Sequence, residues 1–181
     1  MAALGGSVAR RYAKALFELG VDKGNFEALG QDLEALARLY TESRELRQTL
    51  ENPVFKQSQK RAIVQSVLPR VATNPLLHSF ALLLVDRGRI GTLPMIARAF
   101  QEMTDAQLGR VRAVVTSAKP LDATTESEIQ RALERRTGKK VLMKSEVDPT
   151  LIGGVVARVG DLVLDGSLRT RLASVGNRIL N

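Results

Sequence analysis

Cysteine is absent from the 181 residues, which excludes disulfides and thiolate chemistry. Histidine occurs once, as His78, so a zinc site would need carboxylate ligands almost alone, a poor set for that metal. Aromatic residues make up only 4% and are not interleaved with the cations, so the stacking platforms that hold single-stranded nucleic acid are missing. Long apolar runs are lacking as well; stretches such as 80–85 are far too short to cross a bilayer. The N-terminus carries no charged segment followed by an apolar one, so a cytoplasmic setting is the expectation. Carboxylates are outnumbered by cations, 19 to 27, which gives a net charge of +8 and raises nucleic-acid binding as a possibility to test.

What is present is ordinary for a folded soluble protein: 44% apolar and 25% charged residues, in a length that suits one domain or two small ones. The basic excess is spread over both halves, with 14 cations against 11 anions in residues 1–105 and 13 against 8 in 106–181. Its densest cluster is Arg131, Arg135, Arg136, Lys139 and Lys140, at the end of an expected helix, where cations also favour the macrodipole. A basic surface therefore explains the charge better than a nucleic-acid site does.

Apolar spacing divides the chain into two expected domains, 1–105 and 106–181, of overall class α+β. The first reads as a six-helix bundle. Helix one is expected over 7–23 with Ser7 as cap and Gly24 as stop. Its rows Val8/Tyr12/Leu16/Leu19 and Ala9/Ala13/Phe17 together cover about 200° of the wheel, twice the stripe of a simple surface helix. Helix two, over 25–41, has one stripe: Phe26, Leu29, Leu33, Leu36 and Tyr40. Helix three spans about 43–50, and helix four about 58–68, carrying Ala62, Ile63 and Val67 with Pro69 as its stop. Helix five, 75–87, is apolar almost all round, as helices are that lie buried or become so on binding. Helix six opens near Pro94. Helices one and five thus hold more apolar surface than one small core requires.

From Gln107 to Gly109 the period changes. The second half reads as β-α-β-β-β-α: Val111, Ala113 and Val115 alternate, then a helix follows with capping-box spacing at Thr125 and Glu128, Ile129 and Leu133 inward and Gly138 as stop. Val141, Met143, Ser145 and Val147 alternate next. A third strand is expected over 151–159, a hairpin turn at Gly160-Asp161, then a fourth strand and the turn Asp165-Gly166. Ser167 would cap a closing helix bearing Leu168, Leu172, Val175 and Ile179.

Reactive chemistry is not assembled anywhere. Gly153-Gly154 lacks the spacing and the Lys-Ser/Thr of a phosphate loop and fits a bulge or a close backbone approach within a strand. Asp161 and Asp165 could pair as acid and base, but turns account for them better. His78 reads as a bundle-surface residue. No nucleophile stands beside a base, and no cofactor or metal is implied, so the residues argue for a binding protein. An RNA-binding helical regulator is the alternative, and a small-molecule enzyme is the weakest option.

RRYAKALF at 10–17 resembles the opening signature of the delta subunit of bacterial F-type ATP synthase, the counterpart of the mitochondrial oligomycin-sensitivity-conferring protein. SAKPL at 117–121, GKKV at 138–141 and DPTLIGG at 148–154 are similar to its C-terminal signature, together with Gly160-Asp161 and DGS at 165–167. The signature positions are thus Asp148, Gly153, Gly154, Gly160, Asp161, Asp165 and Gly166. The resemblance spans essentially the whole chain. It implies a stator subunit without an active site, peripheral at the cytoplasmic face of the inner (cell) membrane and reaching the membrane only through the complex. It further implies that the helical half receives the N-terminal helix of an alpha subunit between helices one and five, while the second half meets the C-terminus of the b subunits. Combined with the apolar excess, this singles out Tyr12, Ala13 and Leu16 facing Phe80, Leu83 and Leu84.

Overall fold

The computed structural model describes residues 2–72, 74–151, 154–160 and 162–165, and the class is α+β. The chain divides into two compact units, Met1–Thr104 and a second beginning at Asp105.

The first unit is built from α1 (Ala2–Asp22), α2 (Phe26–Glu42), α3 (Arg44–Glu51), α4 (Gln57–Val71), α5 (Pro75–Asp86), a 3-10 turn (Ile90–Thr92) and α6 (Leu93–Gln107), whose last turn enters the second unit. Local chemistry sets most of the ends. Ser43 caps α3 by accepting from the Leu46 N–H at 3.2 Å. Asn74 caps α5 in the same way through Leu76, and Pro75 occupies the first turn, where its missing N–H costs nothing. At the junction of α1 and α2, a Cβ on Gly20 would come within 3.1 Å of the Phe26 Cα, a tight contact that glycine relieves.

Two expected ends are corrected. Ser7 does not cap α1 but lies inside it, since the helix already begins at Ala2. Pro69 does not stop α4. It sits in the last turn, where the hydrogen bond it cannot make would have gone to the carbonyl of exposed Gln65, and burial of Leu68 and Ala72 holds the turn in place. The inward face of α4 is Val64 and Leu68; Ala62 is exposed, and Ile63 and Val67 are half-buried.

The core of this unit takes Ala9, Ala13 and Leu16 from α1, the Leu29–Leu33–Leu36–Tyr40 stripe from α2, Leu77, Phe80 and Leu84 from α5, and Ile96 and Phe100 from α6. Phe17 links α1 to both neighbours, edge-on to Phe26 at 5.6 Å and to Phe100 at 5.5 Å.

The second unit contains β1 (Arg110–Ser117), α7 (Ala123–Thr137), β2 (Lys140–Val147), β3 (Val155–Val159) and β4 (Leu162–Asp165), in the sheet order β2-β1-β3-β4. The first two strands are parallel, with Val111 opposite Val141, and α7 is the crossover that parallel pairing demands. The other pairings are antiparallel: Val115 stands opposite Ala157, and Val159 opposite Leu162. Ala113, Val115, Val141, Ala157, Val159 and Leu133 form its core.

Here the helix start is corrected from Thr125 to Asp122. The Asp122 carboxylate accepts from the Thr125 N–H at 2.7 Å, so Thr125 already lies inside α7, and that bond holds the carboxyl below its usual range. Gly138 ends the helix at φ +66°. The third strand begins at Val155, not at residue 151, because Gly154 stands at φ +84°, which is not an extended conformation. Gly154 thus breaks the chain ahead of the strand instead of bulging within it. The expected closing helix and its Ser167 cap lie outside the described residues.

Candidate partner-binding surfaces

On α1 the apolar surface separates into an inward and an outward row, neither of which matches a row read from the sequence. Ala9, Ala13 and Leu16 are enclosed, while Val8 and Tyr12 are half-buried, Ala15 is exposed and Leu19 is 46% exposed. The outward positions 8, 12, 15 and 19 form one helical stripe at spacings of four, three and four. Leu16 leaves the row in which sequence spacing set it because its direction faces the neighbouring helices.

The α5 helix carries the matching surface. Its buried side is Leu77, Phe80, Ala81, Leu84 and Val85, whereas Leu76 is half-buried and Leu83 is 41% exposed. The Tyr12 ring meets the Phe80 ring edge-on, with centroids 6.2 Å apart, so the outward stripe of α1 adjoins α5 at this pair. Leu76 and Leu83 lie about one turn on either side of Phe80. Of the six residues singled out beforehand, Leu83 is therefore exposed and Tyr12 half-buried. Ala13, Leu16 and Leu84 are closed off by their own chain, and Phe80 is buried beneath Tyr12. Val8, Ala15, Leu19 and Leu76 were not singled out, although the stripe spacing on α1 was there to be read.

The other positions have structural tasks. His78 Nε2 lies 2.8 Å from the Ala72 carbonyl, at the C-terminal end of α4. The Tyr40 hydroxyl donates to Glu51, tying α2 to the end of α3; burial, then that bond, pushes the hydroxyl pKa upward. A Cβ on Gly91 would meet the Glu51 Oε1 at 3.3 Å, so the 3-10 turn packs close to this pair. Sequence reading missed the pair because residues eleven apart on different helices share no periodic signal.

Among the signature positions, Asp148 accepts from both the N–H and the hydroxyl of Thr150, at 2.9 and 2.7 Å. Those bonds hold its carboxyl below the usual range and fold residues 148–151 into a turn. Gly160 opens the β3–β4 turn at φ +57°, as the primed hairpin turns require. Asp165 pairs with Val156 in the sheet. Gly153, Asp161 and Gly166 lie outside the described residues. Among the described residues no cluster of three or more His, Asp or Glu is placed to hold a metal, and no helix is long and apolar enough to cross a membrane.

The family model of the ATP synthase delta (OSCP) subunit matches residues 8–179. The chain belongs to that family. A delta subunit of ATP synthase from Anaeromyxobacter sp. (strain Fw109-5) is 45% identical over 174 residues, covering 96% of this chain and 97% of the relative. One from Geobacter sp. (strain M21) is 40% identical, with 93% and 94% covered. Among solved structures, a chain of the Toxoplasma gondii mitochondrial ATP synthase hexamer superposes with a TM-score of 0.73 at 30% identity, over 96% of this chain and 97% of that one. As a delta/OSCP subunit the protein is a structural and not a catalytic component of F-type ATP synthase, which accords with turns, caps and core packing occupying its polar residues. The RNA-binding alternative finds no support in these relatives.

Proposed function

We propose that the protein is the stator link between the catalytic head and the peripheral stalk, at the cytoplasmic face of the inner (cell) membrane and bound to it only through the complex. In this reading residues 1–105 act as a six-helix bundle that receives the N-terminal helix of an alpha subunit between α1 and α5. Residues 106–181, completed as β-α-β-β-β-α by the closing helix, meet the C-terminus of the b subunits. Rotation of the central shaft applies torque to the head, and a head held still couples proton flow to ATP formation. Such a link needs slow dissociation, the rate in which affinity differences between related complexes mostly reside.

The observation that carries the reading is the paired outward apolar surface of the helical unit: the Val8–Tyr12–Ala15–Leu19 stripe on α1 beside Leu76 and Leu83 on α5. An amphipathic helix laid there would bury apolar area at about 25 cal/mol per Å² before ordering costs. Tyr12 and Leu83 contact it in this reading. Phe80, Ala13, Leu16 and Leu84 support it from below, as the floor that keeps the two helices in register.

Calorimetric titration with an alpha N-terminal peptide tests it. Tyr12→Asp and Leu83→Asp should each weaken binding at least about tenfold, which is about 1.4 kcal/mol, with the helical circular dichroism unchanged. Leu16→Asp should lose the fold itself, since it places a charge at a position 1% exposed. Unchanged affinity in both surface variants would remove this stripe from the interface.

A further inference from the structure

The sheet order β2-β1-β3-β4 leaves β2 at an edge, with one row of backbone groups that no strand among the described residues pairs. Both ends of the strand show which row that is. The Lys140 N–H donates to the Gly109 carbonyl at 3.2 Å, and the Asp148 N–H donates to the Ser117 carbonyl at 2.9 Å. Even-numbered residues therefore turn towards β1. Val141, Met143, Ser145 and Val147 direct their N–H and C=O groups the other way, out of the sheet.

A polar row on α7 lies along that edge. Glu126, Gln130 and Glu134 recur every four residues, on one side of the helix. The Gln130 side-chain amide donates to the Val141 carbonyl at 2.9 Å, and Glu134 Oε1 accepts from the Val141 N–H at 3.1 Å. Glu126 accepts from the Ser145 hydroxyl. Both outward groups of the fully buried Val141 are thus taken by side chains where a further strand would otherwise take them.

We propose that the outer edge of β2 is a self-pairing surface, complementary to the same strand in a second copy of this chain, and that Gln130 and Glu134 hold it shut. The complementarity is in the strand itself. Laid antiparallel on its copy about Met143, β2 sets Val141 opposite Ser145 as a hydrogen-bonded pair and Lys140 opposite Glu146 as opposite charges, each twice across the two-fold axis. Neighbouring registers fit less well. Pairing about Lys144 sets that lysine against itself, and pairing about Ser145 brings Val141 opposite Pro149, which has no N–H to give. The favoured register is the one that needs both outward groups of Val141, and those are the two groups that α7 occupies.

Sedimentation equilibrium of the full-length protein tests this. Wild type should stay monomeric across a wide range of concentration, as should Glu134→Gln, which keeps the accepting oxygen. Gln130→Ala/Glu134→Ala should rise towards twice the monomer mass as concentration increases. Adding Ser145→Pro removes an outward N–H at an edge position that tolerates proline, and should restore the monomer. Lys140→Glu in the same background should restore it too, by setting like charges together, and Glu146→Lys added to that should bring the dimer back. A merely structural role for the two side chains would lower the melting temperature and move none of these masses. In wild type the Val141 amide should exchange with solvent more slowly than that of Met143, which points the same way and bonds no α7 side chain among the described residues. A double variant that stays monomeric with native circular dichroism overturns the proposal. So does a wild type that dimerises, a dimer indifferent to Ser145→Pro and to the charge exchange, or equal exchange at Val141 and Met143. If the double variant does not fold, Glu134→Ala, which frees only the N–H, is measured in its place, and a monomer there overturns the proposal as well.

Discussion

The five phenylalanines and two tyrosines all lie at or before residue 100, so the helical unit holds every aromatic side chain and the sheet unit none. Interlocked rings tie α1, α2 and α6 together through Phe17, Phe26 and Phe100, and the core spreads over all the helices of the unit. The sheet unit encloses only Ala113, Val115, Leu133, Val141, Ala157 and Val159 among its described residues, all small or aliphatic. It relies on backbone pairing and on caps such as Asp122 where the helical unit relies on area. The first unit can therefore leave apolar surface open beside α5 and still fold, whereas the open apolar residues of the second, Val147, Leu162 and Val163, lie on its strands.

The sharpest way to break this contrast is Phe100→Ala. The ring is fully enclosed, and its truncation should cost the helical unit about 3–5 kcal/mol. Hydrogen exchange should speed up across α1–α6 while the amides of β1 and β3 stay slow; equal acceleration in both would make the two units one cooperative block. In the other direction, Val141→Ala should cost the sheet unit about 2 kcal/mol, from two lost methyl groups and the cavity they leave. The same measurement should then reverse its pattern, and an unaffected sheet would show that pairing alone carries that unit.

The smallest of these effects sharpens the contrast by pH. Tyr40→Phe should cost about 1 kcal/mol, since Glu51 is exposed and water can take over its side of the bond. The folded state raises the Tyr40 hydroxyl above its unfolded value of about 10, so it favours the protonated form. That contribution is complete below pH about 10 and is lost as pH rises beyond it. Alkaline melts of wild type and Tyr40→Phe should converge there. A gap that persisted undiminished would mean that the hydroxyl does not act through this bond.

Much of the architecture was legible because it rests on period. The stripe on α2, the alternation in β1 and the glycine-led hairpin at Gly160 are local patterns, and the fold keeps them. Boundaries were less legible because they are contests between neighbours. Asp122 outcompetes Thr125 for the cap, α1 runs on upstream past Ser7, and Pro69 is tolerated because packing holds the last turn. At the candidate surface, composition pointed to α1 and α5, and both carry outward apolar residues in the fold. Which row of α1 turns inward depends on α5 and α6, so Leu16 and Ala13 could not be told from Tyr12 by spacing alone.

The placement of the two tyrosines has a practical consequence. With no tryptophan in the chain, Tyr12 and Tyr40 dominate its ultraviolet emission. Tyr40 donates to a carboxylate, an arrangement that quenches its excited state, so most of the light comes from Tyr12 at the rim beside α5. The molecule thus carries an unlabelled optical reporter at the place where a docking helix would arrive, and a stopped-flow trace of that signal would time the arrival directly.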